Sequence, residues 1–384
     1  MVHPEQYTET SDILETVIDK GLHGLPEVLT NVINLAMKIE RQRYLEAKPY
    51  ERTESRISHA NGFKPKQLNT RMGQLYLSVP QTRDCEFYPS CLEQGMRSER
   101  ALKIAIADMY FKGVSTRKVK SIMQELCGFQ LTSMEVSRAA ALMDEELDQW
   151  RKRNLSCYRY VYLDAIYEKI RYEGQVRDCA VLIAVGIHEK GHREVIGLSV
   201  ELSEAEVHWR NFLTSLQSRG LHGVELLISD AHAGLQSARK AIFPSIPWQR
   251  CHFHLQQNAQ AYVVKSSRKS EVAGVIRSIL TAPNASKAMT LLNEAVKHFE
   301  QDMPKLAQWM ESNVPQSFTH FKFPAEHHSR IRTSNSLERL NREIRRRTRV
   351  VNVFPNTQSC ERLISAILME VSQEWETSAK YLRF

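Results

Sequence analysis

No stretch of this chain is apolar for long enough to cross a bilayer as a helix, which takes ~20 residues. The opening segment MVHPEQYTETSDILETVIDK is acidic and has no apolar core, so it does not read as a secretory signal. Cysteine is sparse. The seven residues (Cys85, Cys91, Cys127, Cys157, Cys179, Cys251, Cys360) are odd in number and follow no framework. That excludes a disulfide-stapled scaffold and fits a reducing compartment. Internal repeats and low-complexity tracts are missing too, which excludes solenoids and linker-like proteins. These absences predict an intracellular, cytoplasmic protein with no membrane partner.

What is present is a chain of 384 residues, 42% hydrophobic and 25% charged, long enough for two or more domains. Lys plus Arg (52) exceeds Asp plus Glu (44), and the pI is about 9.0. The excess is modest. Its clustering matters more, because grouped cations bind polyphosphate by displacing counterions.

Pro26 to Leu45 has helical spacing through Leu29, Val32, Ile33, Leu35, Ala36 and Ile39. NGFKPKQLNTRMGQLYLSVPQTRD is basic and alternates at Leu75, Leu77 and Val79, predicting a small β element. From Ser98 to Arg153 the pattern is helical again. One helix ends at Gly113, a second runs from a Ser115 cap to Gly128, and a third starts at a Thr132/Ser133 cap. Helix, tight turn, helix is the layout of a helix-turn-helix, although three such helices are more often plain packing. Arg117, Lys118 and Lys120 favour DNA. Residues 1–95 and 96–155 are therefore expected to be a mainly helical, DNA-binding N-terminal region.

Beyond Asn154 the period becomes two. CYRYVYLDAIYEKIRYEG reads as a strand, and DCAVLIAVGIHEKGHREVIGLSVEL as two more with a turn at Glu189-Lys190-Gly191. An amphipathic helix follows, with Val207, Phe212, Leu213 and Leu216 on one face. Then come the strand VELLISD, a helix near Gly234–Ile242, a strand in PWQRCHFH and a helix near Leu255. Three antiparallel strands followed by alternating units predict an α/β fold, a mixed sheet with helices on its faces. Residues 156–262 and 326–384 are assigned to it. Residues 263–325 read as a helical insertion broken at Pro283-Asn284 and Pro304, and a last helix spans Ser359–Trp375.

Three acids stand out. Asp164 closes the apolar run YVYLD, and Asp230 closes LLISD. Each alone has a plain reading, a turn residue for the first and a helix N-cap for the second. Together they suggest chemistry beyond the carboxyl ends of strands, provided their strands are neighbours. The third lies in SNSLERLNREIRRRTRVV. Eight arginines fall between Arg330 and Arg349, with only Glu338 and Glu343 against them. At about 100° per residue, Leu337, Leu340 and Ile344 form a buried stripe and Glu338, Asn341, Arg345 and Arg349 lie on one flank. Glu343 sits between Arg339 and Arg347 and reads as a surface ion pair. Glu338 has plain readings as the acid of a capping box begun by Asn335, or as a partner of Arg342.

Taken together, the three carboxylates fit a site for two divalent cations about 3.5–4 Å apart, performing in-line phosphoryl transfer. Mg2+ prefers such hard oxygen ligands. Without metal the carboxylates repel, so at least one is expected to have a raised pKa. Arginines along the flank (Arg342, Arg345, Arg346, Arg349) would then hold a phosphodiester backbone.

The chain resembles the Mutator-type transposases of bacterial insertion sequences almost from end to end. The resemblance is carried by YVYLDAIYEKIR, RGLHGVELLISDAHAGL, WQRCHFHLQQN and ERLNREIRRRTRVVNVFPN. It implies a ribonuclease-H-like domain with a helical insertion and a DDE triad of Asp164, Asp230 and Glu338. The triad would hold two Mg2+, with Mn2+ as a substitute. It also implies a Cys-x2-His motif at Cys251 and His254, with His232 and Asn341 close to the triad. No second close pair completes a structural zinc site, so Cys251 and His254 read as packing and hydrogen-bonding groups. Two positions depart from the family pattern: Gln257 stands for Arg, and Asn352 for Gly at a turn that Asn tolerates.

The resemblance implies an enzyme acting on double-stranded DNA at the nucleoid. It would bind the terminal inverted repeats of its element, cut them, and join the freed 3′-OH to target DNA as at least a dimer. Two rivals remain at this stage: a non-catalytic helix-turn-helix regulator, and a nuclease or junction resolvase on the same fold.

Overall fold

The computed structural model describes residues 14–83, 86–95 and 97–384, with Asn335 and Ser336 described by their backbone alone. Cys85, the first thirteen residues and the Asn335 side chain lie outside the described residues. The chain divides into two compact units, Met1–Met143 and Asp144–Phe384.

In the first unit, α1 (Leu25–Tyr44) begins with a proline in its first turn, where a missing N–H costs nothing. It packs on the antiparallel hairpin β1 (Ala60–Thr70) and β2 (Gly73–Thr82). Leu75, Leu77 and Val79 meet Leu29, Ile33 and Met37 in one core, while Val32, counted in the apolar spacing, is exposed. Three helices follow: α2 (Arg100–Phe111), α3 (Thr116–Cys127) and α4 (Ser133–Ala141). Their ends match the expected signals. The Ser115 hydroxyl accepts from Lys118 N, Gly128 closes α3 at φ 70°, and Thr132 and Glu135 form a reciprocal capping box. The third helix is shorter than expected. It stops at Ala141, and α5 (Asp144–Lys152) starts afresh in the second unit. Three acids in its first turn suit a helix N-terminus, and Asp144 pairs with Arg362 on the last helix.

The second unit is built on a five-stranded mixed sheet. Its strands are β3 (Tyr158–Tyr172), β4 (Gln175–His188), β5 (Arg193–Glu201), β6 (Leu226–Ser229) and β7 (Trp248–Arg250), in spatial order β5-β4-β3-β6-β7. The first three are antiparallel, and β3, β6 and β7 run parallel. Between them lie α6 (Glu206–Ser218) and α7 (Ala233–Ile242), with α8 (His252–Gln260) directly after β7. The expected order of strands and helices is what forms. One detail of the α6 stripe differs: Val207 is 55% exposed and Trp209 is buried in its place.

Alternation along β3 divides its residues between two layers. Val161 and Leu163 join Leu182, Ala184, Trp209, Phe212, Leu213, Leu216 and Leu235 beneath α6 and α7. Asp164, of the other parity, turns to α13 (Asn335–Thr348), which is followed by α14 (Thr357–Thr377). The Asn356 side chain caps α14 through Ser359 N, and Cys360, Leu363, Ile364 and Ile367 are buried. Between α8 and a short helix α12 (Ala325–Ile331) stand α9 (Lys269–Leu280), α10 (Ala285–Phe299) and α11 (Pro304–Asn313). They bury their own core of Val272, Ile276, Ile279, Leu292, Phe299 and Met310. Asn284 caps α10 and Pro304 opens α11, at the two breaks expected from sequence.

Candidate active site

Asp164 is not at the end of its strand but in the middle of it, opposite Ile183 of β4. It meets a strand end all the same, because the parallel neighbour β6 stops there. Tyr160, Val161 and Tyr162 pair with Leu226, Leu227 and Ile228. Two steps further in the same register, Asp164 comes level with Asp230. The adjacency expected of the two aspartates is therefore produced by β3 and β6 lying side by side.

Each aspartate is held by its surroundings. Asp164 is buried; one oxygen accepts from Ala165 N at 3.0 Å and the other from Asn341 Nδ2 at 2.8 Å. Burial pushes its pKa up to about 6, His254 and the Asn341 hydrogen bond oppose this, and the Asp230 carboxylate adds to it. A raised carboxylate was expected from mutual repulsion, but desolvation is the larger cause. Asp230 accepts from His232 N at 3.2 Å through Oδ1, but the N-cap of α7 is His232 itself and no side chain caps the helix, so Asp230 is a turn residue and not the expected N-cap. Its backbone carbonyl accepts from the Ser229 hydroxyl at 2.7 Å and from Gln236 Nε2 at 3.1 Å.

Glu338 arrives from α13. The helix is N-capped by the backbone of Ser334, with no side-chain capping bond. It is stitched to the β7–α8 junction: Cys251 Sγ and Ser334 Oγ lie 3.0 Å apart, Ser334 N donates to Cys251 Sγ at 3.3 Å, and His252 N donates to Arg332 O at 3.0 Å. This joint brings together the first turns of α8 and α13. His254 Nε2 lies 3.6 Å from Glu338 Oε1. Burial alone would lower the His254 pKa, but the adjoining Cys251 sulfur and the carboxylates of Asp164 and Asp230 push it up to about 9. Glu338 thus contacts this ring directly, while Asp164 and Asp230 act on it through their charge. Among the described ion pairs Glu338 has none with Arg342, and Arg342, Arg345 and Arg349 are exposed.

The other expected pairing on α13 is shifted. Glu343 binds Arg347 as expected and Arg346 in place of Arg339, each at 2.7 Å. Arg346 is thus partly engaged, and buried Arg347 also reaches Glu370. In the first unit Arg117 and Lys118 are exposed and Lys120 is half-buried. Asn352 has φ 59°, the left-handed conformation for which Asn is tolerated.

The Ser334 link to Cys251 was not anticipated, because nothing in the sequence spacing signals it. A second group was missed as well. Glu204 lies 3.7 Å from His232 and bonds Tyr167, beside Asp230. Gly234 permits this approach, since a Cβ there would stand 2.2 Å from the Glu204 carbonyl.

The donor set suits a hard divalent cation. It is made of carboxylates with an unpaired buried carbonyl oxygen nearby, Asn341 Oδ1. Among the described residues, however, no group of three His, Cys, Asp or Glu side chains is drawn close enough to hold a metal ion. The donor chemistry fits such a cation.

Comparison with known proteins gives the family. The family model described as "Transposase, Mutator family" matches residues 2–378. The chain is 52% identical over 370 residues to the transposase for insertion sequence element IS406 of Burkholderia multivorans, covering 96% of this chain and 95% of that protein. It is 37% identical to the transposase for insertion sequence element IS256 in transposon Tn4001 of Staphylococcus aureus, over 98% of both. A chain from a simian T-cell lymphotropic virus intasome overlaps with a TM-score of 0.19 and 12% identity, covering 60% of this chain and 74% of that one, a likeness too slight to bear on the fold. By the family model and by these relatives, the chain belongs to the Mutator family of transposases.

Proposed function

We propose that the protein is a DDE transposase that cleaves the ends of its own insertion sequence and joins the freed 3′-OH to target DNA. The observation that carries this is geometric: the register of β3 on β6 sets Asp164 level with Asp230, and the Asn341 hydrogen bond docks α13, the helix of Glu338, against Asp164. The sheet order, three antiparallel strands with two parallel ones on the far side of β3, supports a ribonuclease-H-like core.

In this reading the chain's own groups have distinct roles. Asn341 fixes one oxygen of Asp164, and the Ala165 amide fixes the other. His254 carries the positive charge that lets three acids coexist. Two divalent cations, Mg2+ or in its place Mn2+, would supply activation of the attacking oxygen and stabilisation of the leaving 3′ oxygen. The exposed arginines Arg342, Arg345 and Arg349 would hold the phosphodiester backbone beside Glu338. The first unit would bind the terminal inverted repeats at the nucleoid, and joining two ends would require at least a dimer.

Asp230→Asn tests the assignment. It should bind end DNA as the unaltered protein does and show no strand cleavage or joining in Mg2+ or Mn2+. Ordinary excision by that variant would sink the triad and leave a DNA-binding regulator as the better account.

A further inference from the structure

The first unit contains a surface whose chemistry is unlike the rest of the chain. From Ser55 to Arg83 there is no aspartate or glutamate, while Arg56, Lys64, Lys66, Arg71 and Arg83 all fall there. This stretch includes the whole β1–β2 hairpin. One face is spent on packing, with Leu75, Leu77 and Val79 against α1. The register gives the opposite face: Pro65 is paired with Ser78, Gln67 with Tyr76, and Asn69 with Gln74. Directly opposed residues share a face, so this outward face is a patch of amides and hydroxyls. Tyr76 is 67% exposed, and Gln67 and Ser78 are exposed. Gln74 Nε2 donates to Asn69 Oδ1 at 2.8 Å, and Tyr76 OH donates to Gln74 Oε1 at 2.7 Å, aligning the row.

We infer that the outward face of this hairpin reads base edges of duplex DNA; the inference rests on the transposase reading above. A two-stranded ribbon fits the major groove, and Asn and Gln amides match adenine there in a two-point fashion. The hairpin's own sequence carries cations and no acid, although Arg71 is ion-paired with Glu99, and such a stretch suits the phosphate backbone on either side.

The alternative reader in this unit is α4, which occupies the place of a recognition helix. Its outward residues are poorly suited. Met134, Ser137, Arg138 and Ala141 supply one cation and no amide, and Glu135 is locked in its capping box with Thr132. Two acids, Glu86 and Glu135, line the same groove as Gln67, Asn69 and Gln74, where Lys64 and Lys66 offset them.

The test uses the full chain and two duplexes: one carrying the inverted repeat that flanks the gene, and one of shuffled sequence with the same composition. Binding is measured by fluorescence anisotropy across a salt series. Gln67→Ala with Gln74→Ala should lower the preference for the end duplex by about 10-fold or more while leaving shuffled-DNA affinity in place. Gln67→Ala alone, at an exposed site, guards against loss through misfolding. Retained preference in the double variant overturns the proposal, as does a change in self-association without any change in DNA binding. An unaltered protein with no preference for its end duplex removes the transposase reading and this inference together. A preference that survives the amide variants removes only the inference.

Discussion

The two flanks of α13 carry the same kind of residue and treat it oppositely. On one, Glu343 is clasped by Arg346 and Arg347, and its pKa is driven down to about 2 by the Arg346 hydrogen bond first and Arg347 after it, against burial. On the other, Glu338 pairs with no arginine among the described ion pairs and faces His254, one turn from Asn341, which holds Asp164. One helix thus has an acid clasped by arginines and one that faces a histidine. An acid in an arginine run need not be neutralised by it: helical phase decides which arginines can reach, and tertiary packing decides what it meets instead.

Glu338→Gln and Glu343→Gln separate the two flanks most sharply. The first should reduce strand joining on the order of 100- to 1000-fold or more, with the melting temperature little changed; the second should leave joining within a few-fold. Equal losses in both would erase the distinction.

Stability should move in opposite directions at the acids facing the two flanks. Asp164 has a folded pKa of about 6 against its ordinary 3.8. Its contribution is fully present below about pH 4, where the carboxyl is protonated, and is lost as pH rises to about 6. Above that the ionised group costs the fold on the order of 2 kcal/mol. Asp164→Asn keeps an acceptor for Asn341 and should therefore raise the denaturation midpoint at pH 7.5. The gain should fade as pH falls toward 4.

Glu343→Gln should instead lower stability by about 1 kcal/mol at neutral pH, because buried Arg347 loses one of its two carboxylates. With a depressed folded pKa, that stability is present above the ordinary 4.5 and disappears as pH falls toward about 2. Urea titrations of both variants at pH 7.5 and pH 4 would show whether the signs differ.

The smallest effect is expected just past the helix. Asn352 sits at φ 59°, where glycine carries no steric penalty. Asn352→Gly should raise stability by a few tenths of a kcal/mol up to about 1, and Asn352→Ala should lower it by about 1. Thermal melts of the three forms decide it.

Much of the scaffold was legible. Period-two runs gave the strands, and Ser115, Thr132, Gly128, Asn284 and Pro304 marked helix ends through chemistry local to a few residues. The break at Leu142-Met143 was not legible, because its cause is partly Arg362, more than two hundred residues away. The exposure of Val207 was hidden too: helical spacing fits both it and Trp209, and the position of the sheet chooses between them.

The sequence alone determined the residue types of the site. Two aspartates closing apolar runs and a glutamate flanking an apolar helical stripe are fixed by local period and composition. Tertiary structure alone decided their meeting. Parallel pairing of β3 with β6 sets Asp164 level with Asp230, and the Cys251–Ser334 joint swings α13 so that Glu338 reaches His254. The reason is physical: periodicity reports which face of an element is buried, whereas register and helix docking depend on contacts between residues far apart in the chain, and these leave no local signature.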